Sequence, residues 1–143
     1  MTATCRTIIS NSPEETQSIA ETLVAALPES AVIALHGELG SGKTCFVQGI
    51  AEALGIDRVI TSPTFTMVNE YRGTRPLYHI DLYRIRHPDE LAGIGFDDYL
   101  DPDGITAIEW PERAGSCLPR VTVQVSFDAM ERPTQRRITI QIP

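Results

Sequence analysis

The sequence predicts one α/β domain over residues 1–143, with helices flanking a mixed, mostly parallel sheet that also carries an antiparallel hairpin. Three observations support this prediction. Strand-like and helix-like segments alternate along the chain. Ala31–Leu35 is a continuous apolar run and Ile105–Ile108 is mainly apolar, as in strands buried on both faces. Two further strand-like segments flank the turn-like run Arg72–Pro76. A length of 143 residues with 42% hydrophobic residues suits one hydrophobic core.

The first half of the chain predicts a strand, a helix, a strand and a second helix. Arg6–Ile9 is strand-like. Ser12–Glu15 is typical of a helix start, with serine as N-cap, proline at the first helical position and glutamate three residues after the cap. Apolar residues then recur at helical spacing until Pro28 ends the helix. After the apolar strand and a glycine-rich loop, Lys43–Leu54 is the second helix, and Gly55 closes it.

The second half predicts mainly strands. Val59–Thr61 is a short strand-like segment, and Asp89–Leu100 is helix-like but contains two glycines. We expect the final two strands to form an edge of the sheet. The strands of the two predicted pairs are Phe65–Tyr71 with Leu77–Tyr83, and Val121–Phe127 with Ile138–Ile142.

Composition excludes several classes of protein. The formal charge is −7, from 12 basic and 19 acidic residues, which disfavours sequence-independent binding along a nucleic-acid backbone. The net charge does not exclude a local basic patch or a basic protein partner. Cys5, Cys45 and Cys117 are odd in number and lack CxxC spacing, which predicts reduced thiols. Met1–Ser10 has no signal-like apolar run, and no segment approaches the ~20 apolar residues of a membrane span. We therefore expect a cytoplasmic protein without a membrane association.

The strongest functional signal is the loop Gly37–Thr44, which reads Gly-Glu-Leu-Gly-Ser-Gly-Lys-Thr. Glycines allow backbone N–H groups to converge on phosphate oxygens, and the helix that follows adds the positive end of its dipole. In this pattern Lys43 reaches the terminal phosphates and the Thr44 hydroxyl binds Mg²⁺. An apolar strand before the loop and a helix after it match the required context, so the sequence predicts a P-loop NTPase domain that binds ATP with Mg²⁺.

Two carboxylates are candidates for the catalytic centre. Glu109 ends a strand of the buried, parallel type, as a magnesium-binding acid should. Asp81 ends the second strand of the hairpin. Because we expect a hairpin to be more mobile, we assign Glu109 to the metal and Asp81 to the attacking water or to sensing the terminal phosphate. The alternatives are an ion pair of Asp81 with Arg84 or Arg86, and a helix-capping or solvent role for Glu109.

Other motifs separate the classes of P-loop protein. An Asn-Lys-x-Asp guanine-reading motif is impossible because Lys43 is the only lysine, which excludes a regulatory GTPase. A small-molecule kinase stays open, since Arg132, Arg136 and Arg137 could form its lid. A nucleotide-gated binding module is the third class. Ser62–Phe65 is either a phosphate-sensing switch or a turn set by proline.

The motifs resemble, in order and spacing, the bacterial TsaE (YjeE) family. The resemblance rests on Gly37–Thr44, Ser62–Phe65, His79-Ile80-Asp81-Leu82-Tyr83-Arg84 and Ile108-Glu109-Trp110-Pro111, and it runs from about Pro13 to Arg132. It implies an ATPase that supports formation of threonylcarbamoyladenosine at position 37 of ANN-decoding tRNAs. It also implies TsaD and TsaB as partners, with tRNA contacted indirectly through them.

The resemblance implies roles for individual residues. Lys43, Asp81 and Thr64 serve hydrolysis or nucleotide sensing, and Thr44 with Glu109 binds Mg²⁺. The resemblance places Trp110 next to the metal-binding acid and implies a functional role for it. The alternative interpretation is an aromatic residue of the hydrophobic core. The base is implied to be contacted near Asn11–Thr16 and Arg132. The residues implied to bind ATP are Glu38, Leu39, Gly40, Ser41, Gly42, Lys43, Thr44, Cys45, Trp110 and Arg132.

Overall fold

One seven-stranded sheet organises the computed structural model, which describes residues 3–63, 67–100, 102–118 and 121–143. The order across the sheet is β1-β7-β6-β2-β5-β4-β3. The strands within the described residues are β1 (Thr4–Ser10), β2 (Ala31–His36), β3 (Val68–Tyr71), β4 (Leu77–Asp81), β5 (Ile105–Glu109), β6 (Val123–Ala129) and β7 (Arg136–Ile142).

The centre of the sheet is parallel and its two sides are antiparallel. Strands β6, β2, β5 and β4 form three parallel pairings, and β1–β7, β6–β7 and β3–β4 are antiparallel. The mixed sheet and its hairpin are confirmed, and β7 and β3 are the two described strands that run against the other five. β5 is buried throughout and β2 is buried up to its last residue, His36, because helices cover both faces of the centre.

Helices α1 (Pro13–Ala26) and α2 (Lys43–Ala53) pack together on one face. Ser12 caps α1 as predicted, because its Oγ accepts the Glu15 N–H at 3.1 Å. The two helices approach so closely at Gly49 that an added Cβ would lie 2.5 Å from the Gln17 carbonyl oxygen. The larger hydrophobic core lies between these helices and the sheet.

Three short 3₁₀ helices cover the other face, over Pro88–Ile94, Phe96–Tyr99 and Pro111–Cys117. The sequence predicted one interrupted helix over Asp89–Leu100. Gly95 breaks it, since its backbone adopts a left-handed φ of 68°. No helix among the described residues is long and apolar enough to cross a membrane.

Two other predictions are wrong. Val59–Thr61 is not a strand, because the Gln48 side chain of α2 accepts the Ile60 N–H at 2.9 Å and holds the segment against the helix. β6 and β7 pair with each other as predicted but lie inside the sheet, since β1 adds to β7 and β6 pairs with β2. Of the predicted strand Phe65–Tyr71, the described part begins at Met67, with β3 starting at Val68.

Candidate functional site

The carboxyl ends of β2, β5 and β4 meet at one edge of the sheet, where the glycine-rich loop leaves β2. Glu109 is in register with Leu35 on one side and with Asp81 on the other. Parallel strands place their carboxyl ends together, so this register brings both candidate carboxylates beside the loop. It is the only described edge at which the loop and both acids can meet.

The loop has the conformation that its glycines permit. Gly40 and Gly42 have left-handed φ values of 75° and 107°. Gly42 is also the N-cap of α2 and offers no side chain to the first N–H groups of the helix, which have no partner within it. The buried Ser41 Oγ has no hydrogen-bond partner among the described residues. Free N–H groups and an unpaired hydroxyl at a helix start suit phosphate oxygens.

Lys43 is buried at the centre of the site, with 4% of its surface exposed. Its Nζ donates to the Gly37 carbonyl oxygen at 2.5 Å. Burial lowers the pKa of Lys43 below its usual value, while the charges of Glu109 and Asp81 act in the opposite direction. A desolvated ammonium is stabilised by a neighbouring anion, such as a phosphate group.

Trp110 covers Lys43. The Nζ atom lies 4.0 Å from the centroid of the tryptophan ring, within cation–π distance. The backbone of Trp110 is left-handed, with φ 57° and ψ 48°. This conformation costs a bulky residue about 1–3 kcal/mol and is found most often at functional sites. The half-buried ring also packs on the smaller core and lies 5.2 Å from the Tyr83 ring. Trp110 is therefore both a core aromatic and a wall of the site.

Glu109 is held by a residue to which the sequence assigned no role. His79 is fully buried, and its Nε2 lies 2.5 Å from Oε2 of Glu109. Since the carboxylate only accepts, Nε2 is the donor. His79 Nδ1 has no hydrogen-bond partner among the described residues. The available signal was the spacing: His79 and Asp81 are two residues apart on β4 and point to the same face. Glu109 is buried and caps no helix, so its solvent and capping alternatives are wrong.

Asp81 is as buried as Glu109, at 4% exposure for each. Its Oδ1 accepts the Tyr83 N–H at 2.9 Å, and the Ser62 hydroxyl donates to Oδ2 at 3.4 Å. Within the hairpin, β3 is at the edge of the sheet and β4 lies between β5 and β3. The contact with Ser62 joins Asp81 to the segment that follows α2. Thr64, predicted in that segment to act in catalysis, lies outside the described residues.

The described residues fit magnesium bound together with a nucleotide. They contain no group of three or more His, Cys, Asp or Glu side chains able to hold a metal alone. Mg²⁺ usually takes one or two protein carboxylates and completes its shell with phosphate oxygens and water, so such a group is not required. Thr44, half-buried in the first turn of α2, and Glu109, at the end of β5, are suitable protein ligands.

The remaining predicted residues lie around the loop. Glu38 and Leu39 are exposed, and Leu39 has 69% of its surface accessible. Cys45 faces α1, where its Sγ contacts the Pro13 carbonyl oxygen at 3.4 Å, and burial raises the pKa of its thiol. Arg132 is exposed in the turn between β6 and β7. Its neighbour Arg136, which the sequence placed only in a cluster, donates to two carbonyls of the loop.

The chain is similar to known proteins in both sequence and structure. The model of the family described as "Threonylcarbamoyl adenosine biosynthesis protein TsaE" matches residues 10–138. The chain is 39% identical over 132 residues to the tRNA threonylcarbamoyladenosine biosynthesis protein TsaE of Treponema pallidum (strain Nichols), covering 92% of this chain and 97% of that protein. It is 43% identical over 114 residues to the protein of the same name from Bacillus subtilis (strain 168), covering 79% and 71%. The crystal structure of Bacillus subtilis YdiB superposes with a TM-score of 0.80 at 34% identity, covering 99% of this chain and 88% of that one. The family match includes the loop, both acids and Arg136.

Proposed function

Because the chain belongs to the TsaE family, we propose that it is a magnesium-dependent ATPase that supports the TsaD–TsaB complex in the cytoplasm. In this proposal the complex forms N6-threonylcarbamoyladenosine at position 37 of ANN-decoding tRNAs. The chain binds and slowly hydrolyses ATP, and it does not transfer the threonylcarbamoyl group itself. It meets tRNA only through the complex.

One observation carries the ATPase proposal: a buried lysine in a glycine-rich loop faces two buried carboxylates on adjacent strands. The loop N–H groups and Lys43 bind the phosphates. Asp81, connected to Ser62, accepts a hydrogen bond from the attacking water. Glu109 and Thr44 hold Mg²⁺, which when bound neutralises negative charge on the phosphates. Trp110 keeps water away from the lysine.

The hydrogen bonds of Arg136 are one reason to expect slow turnover by the isolated chain. An arginine that stabilises charge on the transferring phosphoryl group can raise turnover by about 10³–10⁵. Arg136, the arginine bonded to the loop, already donates to backbone carbonyls, so we do not assign it this role. We therefore expect TsaD–TsaB binding to change the hydrolysis rate.

The direct test measures two products in one reconstituted assay. Purified chain is incubated with Mg²⁺ and ATP, with and without TsaD–TsaB, a threonylcarbamoyl donor and unmodified ANN-decoding tRNA. Phosphate release and modified nucleoside are both quantified, and Lys43→Ala serves as the inactive control. We expect slow release by the chain alone and modification only in the complete mixture. Turnover near 10 s⁻¹ by the chain alone would contradict the proposal, and phosphate transfer to a metabolite would favour a kinase.

A cellular experiment tests the pathway. Nucleosides from ANN-decoding tRNAs of depleted cells are measured by mass spectrometry. We expect loss of threonylcarbamoyladenosine, with recovery on expression of the wild-type chain but not of Lys43→Ala. An unchanged modification level in depleted cells would exclude the proposed pathway.

A further inference from the structure

Arg136 connects the phosphate loop to the turn between β6 and β7. Its Nε donates to the Ser41 carbonyl oxygen and its Nη2 to the Gly40 carbonyl oxygen, both at 3.0 Å. Its Nη1 donates to the carbonyl oxygens of Pro133 at 2.7 Å and Gln135 at 2.8 Å. One guanidinium group therefore bonds two consecutive loop carbonyls and two carbonyls of the turn.

We propose that Arg136 is a positioning residue of the nucleotide site, which holds the phosphate loop in its binding conformation and fastens it to the β6–β7 turn. The inference rests on the proposed function, since it concerns the same ATP site. It assigns Arg136 to the loop backbone and not to the nucleotide.

Donor geometry separates this role from direct phosphate contact. A guanidinium carries five N–H donors, and four hydrogen bonds to carbonyl oxygens are formed here. The donors are spread over two segments in a planar fork. Lysine, with one ammonium at the end of a flexible stem, cannot reproduce such an arrangement. An arginine bonded in this way is unavailable as a free cation for the terminal phosphate.

The bonded carbonyls set the direction of the N–H groups in the loop. A peptide unit is planar and trans, so its C=O and N–H point in opposite directions. Holding the Ser41 carbonyl on Arg136 turns the N–H of Gly42 to the other side of the loop, away from the guanidinium. The N–H of Ser41, on the peptide whose Gly40 carbonyl also bonds Arg136, donates to the Glu38 carbonyl oxygen at 3.1 Å. Because the glycines of the loop are flexible, these hydrogen bonds restrict the directions that its N–H groups can take.

The backbone that carries Arg136 is paired with a strand on each side. Arg136 begins β7 and is in register with Ser10 of β1 and Ala129 of β6. The adjacent Gln135 donates to the Asn11 side chain at 2.8 Å, just before α1. The β6–β7 turn, the start of α1 and the phosphate loop are thus connected by side-chain hydrogen bonds.

The test compares three variants of the full chain: Arg136→Ala, Arg136→Lys and the control Arg137→Ala. Arg137 is the exposed neighbour on β7, so its replacement removes the same charge without touching the loop. Affinities for ATP and ADP are measured by calorimetry. Hydrogen exchange of peptides covering residues 38–46 is measured without nucleotide, and thermal melting reports the fold.

We expect Arg136→Ala to bind ATP and ADP at least about tenfold more weakly, the effect of losing one charge-assisted hydrogen bond. Both nucleotides should weaken equally, since a disordered loop affects phosphates common to both. Loop exchange should be faster than in wild type, and Arg136→Lys should not restore it. Arg137→Ala should match wild type. Arg136→Lys keeps the positive charge and the aliphatic part of the side chain. If Arg136→Ala fails to fold, nucleotide affinity and loop exchange are therefore compared between Arg136→Lys and wild type.

Wild-type affinity and wild-type loop exchange in Arg136→Ala would overturn the inference. An equal loss of nucleotide affinity in Arg137→Ala would also overturn it, because the loss would then be explained by the change in net charge alone. A larger loss for ATP than for ADP would instead point to contact with the terminal phosphate and would also overturn it. If the wild-type chain binds neither nucleotide, the proposed function fails. Faster loop exchange in Arg136→Ala than in Arg137→Ala would then still support the restraint, and equal exchange would reject it.

Discussion

The two halves of the candidate site are built in different ways. The phosphate half is a continuous loop, Gly37–Gly42, followed by the first turn of α2, and its groups for phosphate are mainly backbone N–H donors. The acidic half consists of side chains from two strands, with Asp81 on β4 set beside Glu109 on β5 by register. The first half depends on backbone conformation, and the second depends on strand pairing.

This difference predicts different failures. Damage to the phosphate half should weaken every nucleotide that carries the shared phosphates. Damage to the acidic half should change magnesium dependence or turnover while leaving part of the nucleotide affinity. Trp110, the only tryptophan, lies 4.0 Å from Lys43 Nζ, so its fluorescence reports on both halves.

The largest expected effect is that of Lys43→Ala in the phosphate half. It removes the buried cation and should lower ATP affinity on the order of 100-fold, to the point where binding is lost in practice. Calorimetry with ATP measures it. Val59→Ala, an exposed change outside the loop, is the control and should bind as wild type. Equal affinity of Lys43→Ala and wild type would remove the lysine from the site.

The next effect separates the two acids. Glu109→Ala should weaken magnesium-dependent binding of both ATP and ADP by at least about tenfold, since it removes a metal ligand. Asp81→Ala should leave binding largely intact and lower turnover in the assembled complex. Titration of Mg²⁺ against each variant with ADP bound distinguishes them. Loss of the metal in Asp81→Ala and its retention in Glu109→Ala would reverse the two roles.

A somewhat smaller effect is expected for His79→Gln. His79 orients the Glu109 carboxylate, and because the ligand itself stays, loss of this supporting hydrogen bond should cost about tenfold in metal affinity, the low end of the usual range. Magnesium titration of the ADP complex measures it, and ADP affinity without metal should stay near the wild-type value. Tyr78→Phe, which removes a hydroxyl bonded to Asp103 outside the site, is the control. A drop in metal-free ADP affinity equal to the drop in metal affinity would show only general damage.

The smallest effect on the site is expected from Gly49→Ala, which changes the packing beneath it. The new Cβ would lie 2.5 Å from the Gln17 carbonyl oxygen, so α1 and α2 must separate, at a cost of about 1–3 kcal/mol. Denaturant unfolding measures this cost, and Gly93→Ala, where a Cβ meets open space, should be nearly neutral. Without denaturant, where the variant is folded, its affinity for nucleotide with Mg²⁺ should change less than that of His79→Gln. A loss as large as that of Lys43→Ala would mean that helix spacing itself sets the loop geometry.

Most of the fold could be predicted because its signals are local. Ser12 and Glu15 mark the start of α1 through a hydrogen bond that spans three residues. The apolar runs of β2 and β5 indicate burial on both faces, and Gly55 marks the end of α2. Val59–Thr61 was wrongly predicted to be a strand because its three residues are common in strands. Their sequence does not show whether their backbone groups bond to a strand or, as here, to a side chain of α2.

The amino-acid pattern alone predicted the phosphate loop, the starts of α1 and α2, the buried strands and the two candidate acids. These features follow from the conformational freedom of glycine, from capping and from periodicity, all of which act over a few residues. The tertiary structure decided the rest: that β6 and β7 lie inside the sheet, that Asp81 adjoins Glu109, that His79 holds Glu109, and that Arg136 reaches back to the loop. Arg136 is 96 residues from Gly40 and His79 is 30 from Glu109. Hydrogen bonds at such separations depend on strand order and register, which form only when the whole sheet assembles.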